Sequence, residues 1–460
     1  MFSTYIYCTE ASRLTIFEYE HFYIQNKSFK YCHILVKQMK IKRVKDYSYW
    51  DNRISIAVVF YFIASCANAT TKTILGIPES MWGVLSMLWG VLIIYNFAFC
   101  FNEVYRRSKK ILTSSFAIFI VIYSFSAVLC SIRGEGLHLM LRESAFLTFA
   151  WWIPVGVYAC SVVDKEVLYR MFVKASYLIS ILALLMFFIR PIEINDGAAE
   201  YNMTFGNYIM LPILFHINEW LRKKRIWLLV FLLFEVATVI IYSNRGVLLS
   251  LFVFVIYKFA WDNDSRAKKA IAIVVLFVIV YVLFVNSQII VSGMLSILDT
   301  LGLRSRTLEM IIAGSIEDSS GRDDIWRASF KMIEEKPILG WGLGGEYYEL
   351  YNAEQGIKGD AANGSYTPHN GLIQNFVNFG IFGGLIANII VSLPLLNLRK
   401  YKSVSTNNLI QIFFCAVAIP TLISASGFFI KPEVAVYLYL FYYGNKFRNT
   451  SYENKSVLIN

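Results

Sequence analysis

The chain has 460 residues, of which 57% are hydrophobic, 16% aromatic and only 16% charged. Soluble globular domains carry about 25% charged residues, so these figures and a mean hydropathy of +0.52 exclude an ordinary water-soluble enzyme and indicate a polytopic membrane protein. The net charge of +11 comes from basic clusters that form no single stripe. They are typical of cytoplasmic loops, and no nucleic-acid partner is expected. The 7 cysteines form no CxxC or Cys/His cluster, so neither a metal site nor a disulfide framework is predicted.

Apolar runs long enough to cross about 30 Å of hydrocarbon predict an all-α fold of about twelve transmembrane helices. The runs lie near 54–69, 81–102, 111–131, 144–163, 168–190, 207–221, 226–243, 246–261, 270–290, 371–397, 408–428 and 433–445. Lysine and arginine concentrate in alternate connections, which predicts that both termini are cytoplasmic.

The predicted layout has five parts: a cytoplasmic tail at 1–53, helices one to nine at 54–290, a large external loop at 291–370, helices ten to twelve at 371–445, and a cytoplasmic tail at 446–460. Residues 1–38 are polar and lack the apolar core and cleavage site of a signal peptide. They form either a cytoplasmic tail or a stretch before a true start at Met39.

The external loop, about 80 residues long, contains a predicted amphipathic helix. Ser320 followed by Asp323 resembles a capping box. Apolar side chains recur at i, i+4 and i+7, at Trp326, Phe330 and Ile333. This spacing predicts a helix over 321–335 that ends before Pro337, with its apolar face on the membrane surface or on the helix bundle.

A glycine-rich stretch follows that helix, at residues 340–345. It is not GxGxxG, no strand precedes it, and no Lys-Ser/Thr pair follows it, so a nucleotide site is not predicted. We expect a flexible turn here.

Three residues near the external side carry chemistry that a membrane boundary rarely needs. His369 lies directly before the span 371–397 and is either an interfacial polar residue or a proton acceptor. Arg245 lies in a short connection between two spans, where an unpaired charge is expensive, and contacts either a lipid headgroup or a substrate. Arg322 opens the loop helix and pairs either with a neighbouring acid such as Asp323 or with a substrate anion.

These residues stand in motifs that resemble a family. His369-Asn370, followed after nine residues by Gly380-Ile381-Phe382-Gly383, is similar to the His-Asn-x9-Gly-x-x-Gly signature of bacterial O-antigen ligases and the related Wzy-type surface-polysaccharide polymerases. Residues 321–326 and 337–340 resemble the family's Gly-Arg-x-x-x-Trp and Pro-x-x-Gly stretches, and residues 243–246 its Ser-x-Arg-Gly turn. The blocks follow in the family's order over about 240–384, and the topology extends the resemblance over nearly the whole chain.

The resemblance implies a GT-C-like fold and a metal-independent, inverting glycosyltransferase that takes an oligosaccharide from a polyprenyl diphosphate carrier. Such a donor carries its own leaving group, so the site needs cations for the diphosphate and a base for the attacking hydroxyl. His369 is expected to be the base, and Arg245 and Arg322 to bind the diphosphate. Supporting roles are expected for Asn370, Gly321 and Asp323. Neither a metal ion nor another cofactor is expected.

The acceptor separates two forms of this function. The segment 202–208 entering a span is more similar to capsule and O-unit polymerases, and the excess of acids in the external loop disfavours a ligase that must admit an anionic lipid A-core. A polymerase is therefore preferred over a ligase. A transporter or flippase is the alternative from another class, but no internal repeat supports it.

The implied location is the bacterial inner membrane, with the active site on the periplasmic face. The implied partners are the lipid-linked oligosaccharide, membrane lipid, a flippase and a chain-length regulator.

Overall fold

The computed structural model describes residues 26–189, 203–242, 245–261, 287–300, 322–350, 367–397, 403–423 and 427–444, with a few isolated positions. These residues are mostly helical, and none of them belongs to a β-strand. The fold is thus all-helical where it is described, as the absence of hydrogen-bonding partners in lipid requires.

Twelve described helices are relevant to the site. They are α1 (Asn26–Ile74), α2 (Glu79–Arg133), α3 (Leu137–Ser161, including two π-helical stretches), α4 (Lys165–Ile189), α5 (Met203–Lys223), α6 (Ile226–Tyr242), α7 (Arg245–Trp261), α8 (Ser287–Thr300), α9 (Arg322–Glu335), α10 (Gly371–Leu396), α11 (404–423, with a central π-helical stretch) and α12 (Pro432–Tyr443).

Six stretches within the described helices are long and apolar enough to cross a membrane. They are Tyr47–Lys72, Ser80–Arg133, Leu137–Ser161, Lys165–Met186, Gly371–Leu396 and Val404–Leu422. Shorter apolar helices lie within α6, α7 and α8. Most of the predicted span 270–290 lies outside the described residues, as do residues 1–25 and 445–460.

The predicted spans 81–102 and 111–131 both lie in α2, which breaks at Ser108, where φ is −122° and ψ is 20°. The segments on either side of the break both contact α3. Before it, the Phe97 carbonyl accepts a hydrogen bond from the Tyr158 hydroxyl at 2.5 Å. At the break, the Ser108 and Ser161 hydroxyls lie 2.6 Å apart. The sequence predicted a connection between two separate helices. The structure instead has one long helix with a local break at the buried Ser108.

The centre of the bundle is packed by aromatic side chains from four helices. Phe62 of α1 and Phe413 of α11 each contact Phe172 of α4, with ring centroids 5.4 and 5.0 Å apart. Phe172 also stacks on Phe215 of α5, with the rings 5.6 Å apart and nearly parallel. Aromatic pairs of this kind contribute about 0.5–1.5 kcal/mol each beyond their buried area. They fix α4, α5 and α11 around the first span.

The glycine-rich stretch after α9 is buried against α2, α3 and α10, so the prediction of a flexible turn is wrong. Leu343 donates its backbone N–H to the Ser126 hydroxyl of α2 at 2.8 Å. A Cβ on Gly342 would lie 2.9 Å from Ser126, and one on Gly344 would lie 2.7 Å from the Ser144 Cβ of α3. Glycine is needed at both positions because φ is positive and neighbouring atoms leave no room for a side chain.

Candidate functional site

Helix α9 forms where the sequence predicted it, and the face it buries matches the predicted face in part, since Ile333 packs against the buried cluster of Met332, Trp341 and Val377. Ile325, Ser329 and Met332 are buried, whereas Phe330, predicted to lie on the apolar face, is 51% exposed. The buried stripe still follows the i, i+4, i+7 spacing. Ser329 can lie in it because its hydroxyl donates to the Ile325 carbonyl at 2.7 Å. This face packs on α10, the helix that His369 precedes.

One side chain of α9 reaches the segment before α10. The indole Nε1 of Trp326 donates a hydrogen bond to the Pro368 carbonyl at 2.9 Å. Pro368 is the immediate neighbour of His369, and Arg322 starts the helix one turn before Trp326. Residues at i and i+4 lie on one face of a helix. The fold therefore brings the first turn of α9 and the histidine to the same region.

His369 and Asn370 form the entrance to α10. His369 is half-buried and has a φ of +49°, a left-handed conformation that is uncommon outside glycine. Asn370 is the N-cap of the helix: its Oδ1 accepts hydrogen bonds from the N–H groups of Leu372 at 3.0 Å and Ile373 at 3.1 Å. Asn370 thus satisfies N–H groups that every helix start leaves unpaired, and its supporting role in the site remains a prediction.

The glycine-rich stretch pairs with a break in the middle of α10. At Gly380, φ is +68° and ψ is −174°, so the helix is interrupted there. The Trp341 N–H donates to the Val377 carbonyl at 2.9 Å, and the Ile381 N–H donates to the Pro337 carbonyl at 2.7 Å. The break leaves the Val377 carbonyl and the Ile381 N–H without partners inside α10, and the loop supplies a hydrogen bond to each. The sequence blocks 337–340 and 380–383 meet at this contact.

A buried carboxylate that the sequence did not single out lies beneath this contact. Glu346 is fully buried and accepts hydrogen bonds from Gln374 Nε2 at 2.6 Å and from the Asn378 amide at 2.7 Å. Burial raises its pKa to about 7, because few surrounding groups replace water around the charged form. Gln374 also accepts from the Gly427 N–H at 2.6 Å. Glu346 therefore links the loop, the first turns of α10 and the segment before α12.

The signal for Glu346 in the sequence was weak. It is one acid in Glu346-Tyr347-Tyr348-Glu349, directly after the glycines. Nothing in that pattern separates it from Glu349, which is partly exposed and lies 3.8 Å from Arg133.

Arg245 is the first residue of α7, and its neighbour in the fold is α11. Lys258, near the other end of α7, donates to the Asn408 Oδ1 near the start of α11 at 2.9 Å. Helices α7 and α11 run antiparallel. The thirteen residues from Arg245 to Lys258 span roughly 20 Å along α7. Because α7 also packs against the last turns of α11, the backbone of Arg245 lies at the level where α11 ends. The segment that follows α11 is the one that Gln374 of α10 contacts through Gly427.

The predicted residues are thus placed at one end of the bundle at the level of the backbone. Arg322 and His369 are joined through Trp326 and Pro368, and Arg245 reaches the same end through α11. Gly321 lies outside the described residues, as does the turn before Arg245. The catalytic and binding roles expected of these residues remain predictions.

A metal site would need several carboxylate, histidine or cysteine side chains close together. Within the described ranges, no three His, Cys, Asp or Glu side chains come together as metal ligands. Asp324 is engaged on the helix surface, where its Oδ1 lies 2.9 Å from Arg327 Nη2.

Comparison with known proteins places the site within a family. No curated protein matches the chain. Residues 209–387 match the family described as O-antigen ligase, and this stretch holds Arg245, Arg322, His369 and the glycine contact. From α5 to the middle of α10, the chain therefore carries a domain that matches the O-antigen ligase family, which supports a ligase-type or polymerase-type function in polysaccharide biosynthesis.

Proposed function

We propose that this protein is a polysaccharide polymerase that transfers oligosaccharide units from a polyprenyl diphosphate carrier to a growing surface glycan. The observation that carries the proposal is the hydrogen bond from Trp326 to the Pro368 carbonyl. It joins the Gly-Arg-x-x-x-Trp and His-Asn blocks, which stand more than forty residues apart in the chain. A cation and a base are needed side by side if both act in one reaction, the cation on the diphosphate and the base on the attacking hydroxyl.

The proposed role of Arg245 and Arg322 is to bind the diphosphate. Negative charge develops on the diphosphate as the glycosidic bond breaks, and fixed cations there lower the barrier. Arginine suits the task because its guanidinium forms paired hydrogen bonds with phosphate oxygens and keeps its charge. Residue 322 begins α9, where the unpaired N–H groups of the first turn add favourable potential for an anion. Gly321 and Asp323 are proposed to have supporting roles beside Arg322.

His369 is proposed as the general base. It would take the proton from the acceptor hydroxyl while that oxygen attacks the anomeric carbon and the carrier diphosphate leaves from the opposite face. This single displacement inverts the anomeric configuration and requires no metal ion. The left-handed φ of His369 supports the role, because such conformations concentrate at functional sites. The cap by Asn370 holds the residue at a fixed helix entrance.

The choice of acceptor distinguishes polymerase from ligase. A ligase is the second candidate, since that activity gives the matching family its description. The polymerase is preferred because the predicted external loop holds more acids than bases, which disfavours an anionic lipid A-core. The proposed location is the bacterial inner membrane, with cytoplasmic termini and an external site. A flippase would supply the donor, and a chain-length regulator would act on the product.

The test is reconstitution of the purified full chain in lipid nanodiscs with a lipid-linked oligosaccharide isolated from cells that lack the gene. Ladders of carrier-linked polymer would support a polymerase, and transfer only to added lipid A-core would identify a ligase. Movement of the donor across sealed vesicles without any new glycosidic bond would replace the proposal with transport.

A further inference from the structure

A cavity of about 240 Å³ lies between α1, α4, α5, α11 and the start of α12. Its polar lining comes from Ser65, Asn207, Tyr208, Lys431 and Glu433. Asn207 and Tyr208 stand near the beginning of α5, and Lys431 caps the beginning of α12. The cavity therefore occupies the same end of the bundle as the backbone of Arg245.

Two opposite charges line this cavity within a mainly apolar bundle. The Lys431 ammonium donates to the Thr421 hydroxyl at 2.9 Å, and Glu433 follows two residues later. Ionisable side chains among membrane-spanning helices are costly and mark candidate functional sites.

The charge balance indicates the class of ligand. A cavity for a diphosphate alone would carry an excess of cations, whereas Glu433 offsets Lys431 here. An isoprenoid tail offers no polar group, so it would leave part of the hydrogen-bonding capacity of Lys431 and Glu433 unused, which is expensive. A sugar ring fits both conditions, because its hydroxyl groups donate to carboxylate and amide oxygens and accept from ammonium and amide groups. Phe62 and Leu211 line the remaining surface and can cover the apolar faces of the ring.

We propose that this cavity binds one sugar residue of the glycan substrate, beside the diphosphate position assigned to Arg245. The inference rests on the proposed function, since only a glycan-transferring protein presents a sugar at this place. The helix that Arg245 begins packs against the last turns of α11, which contain Thr421, and the Thr421 hydroxyl accepts a hydrogen bond from the Lys431 ammonium. A sugar in the cavity would then be adjacent to the charged head of the carrier.

The test uses two variants of the full chain and a matched control. Ser65→Phe fills the cavity, and Glu433→Gln removes a charge while keeping the size of the side chain. The control, Ile56→Phe, adds a similar ring to an exposed position of the same helix α1. Two probes are compared in nanodiscs: lipid-linked oligosaccharide as substrate, and undecaprenyl diphosphate without sugar as inhibitor.

We expect both cavity variants to raise the KM for the lipid-linked oligosaccharide about tenfold to hundredfold, the effect of losing a hydrogen bond to a charged group. Inhibition by undecaprenyl diphosphate should stay within about threefold of wild type, and Ile56→Phe should match wild type with both probes. A KM within twofold of wild type for Glu433→Gln overturns the inference, whatever Ser65→Phe does. So does an equal loss with both probes, because the cavity would then serve the diphosphate. A wild-type protein that neither transfers the oligosaccharide nor responds to undecaprenyl diphosphate rejects the proposed function itself.

Discussion

Gly340 and Gly380 meet through their backbones: a Cβ added to Gly340 would lie 2.5 Å from the Gly380 nitrogen. Both residues have positive φ, of +66° and +68°. Their contact seats the loop that follows α9 in the break of α10, and thereby fixes the position of α9 relative to the helix that His369 precedes. A Cβ on Gly380 would in turn lie within 2.6 Å of the Pro337 and Ile338 carbonyl oxygens, so neither position has room for a side chain.

Gly340→Ala should therefore destabilise the protein and reduce polymer formation. The left-handed conformation alone costs roughly 1–2 kcal/mol for a residue with a Cβ, and the clash with Asn378 and Gly380 adds to it. Thermal unfolding of the purified protein, followed by tryptophan fluorescence, measures the loss. The control is Gly90→Ala in α2, where no atom lies within 4 Å of the new Cβ and φ is not positive. Equal unfolding temperatures for Gly340→Ala and Gly90→Ala would contradict the contact.

Trp326→Phe tests the connection between α9 and the histidine segment. Phenylalanine keeps most of the ring but cannot donate to the Pro368 carbonyl, and one such bond contributes about 1 kcal/mol. We expect kcat in the transfer assay to fall several-fold, while KM for the donor and the amount of protein in the membrane stay near wild type. Phe330→Leu, at an exposed position of the same helix, is the control. A wild-type kcat for Trp326→Phe would show that the bond does not position the site.

Arg322→Lys tests whether residue 322 binds the diphosphate with two parallel hydrogen bonds. Lysine keeps the charge but loses the paired donors, so transition-state stabilisation should fall by on the order of 2–4 kcal/mol. Polymer length in a complemented deletion strain and kcat/KM in nanodiscs report the loss.

The control for residue 322 is Arg327→Lys. Arg327 lies on the same helix with 79% of its side chain exposed and pairs with Asp324, and surface pairs of this kind contribute little. Full-length polymer from a normally expressed Arg322→Ala would reject the proposed role.

The sequence predicted α9 and the entrance to α10 because their signals are local. Residues spaced by one helical turn between Arg322 and Pro337 specify a helix, and an apolar run long enough to cross a membrane begins at Gly371. The face of α9 that is buried could not be predicted. It depends on the short, internally bonded Ser329 side chain, which lets α10 approach, and so Ile325 rather than Phe330 is buried.

The contacts that the sequence did not predict are those made over long distances in the chain. Gly340 and Gly380 are forty residues apart, and a glycine pattern alone does not distinguish a buried close approach from an exposed turn. Glu346 is identified as a buried group only once Gln374 and Asn378 are seen to surround it. Burial of a carboxylate is a property of its neighbours, and those neighbours come from α10.

Glu346 should give the stability of the protein a distinctive pH dependence. Its pKa is raised to about 7 in the folded protein, against about 4.3 in an unfolded chain. The folded state then holds a proton that the unfolded state has lost, so this group's contribution is complete below about pH 4.3 and is lost as the pH rises to 7. Glu346→Gln should remove that fall, because glutamine resembles the protonated acid.

The measurement is the unfolding temperature of wild type and Glu346→Gln between pH 5 and pH 8. As the pH rises to 7, the unfolding temperature of wild type should fall relative to that of Glu346→Gln. Above pH 7, the difference between the two unfolding temperatures should stay constant. Glu349→Gln, at a partly exposed carboxylate three residues away, is the control for a general effect of charge removal. A constant difference across this range would mean that Glu346 keeps the same protonation state folded and unfolded.

The proposed base is tested by replacing His369. His369→Gln offers hydrogen bonds but cannot accept the proton at neutral pH, and His369→Asn is chosen because asparagine tolerates the positive φ. Both variants, and His369→Ala, should reach the membrane in normal amounts and lose transfer by roughly 10²–10⁴-fold, the usual contribution of general base catalysis. The control is His138, in the first turn of α3, where His138→Gln should leave transfer unchanged.

The same assay tests the absence of a metal ion from the mechanism. If His369 takes the proton and the arginines bind the diphosphate, transfer by the wild type should continue in EDTA, because no step needs a divalent cation. Transfer that EDTA stops and Mg²⁺ restores would instead direct attention to the acids of the first turn of α9, Asp323 and Asp324. Adjacent residues on a helix point in different directions, so such a site would need a further ligand from elsewhere in the chain or from the diphosphate. Normal transfer by His369→Gln in EDTA would leave the histidine a binding role and assign the proton to another acceptor.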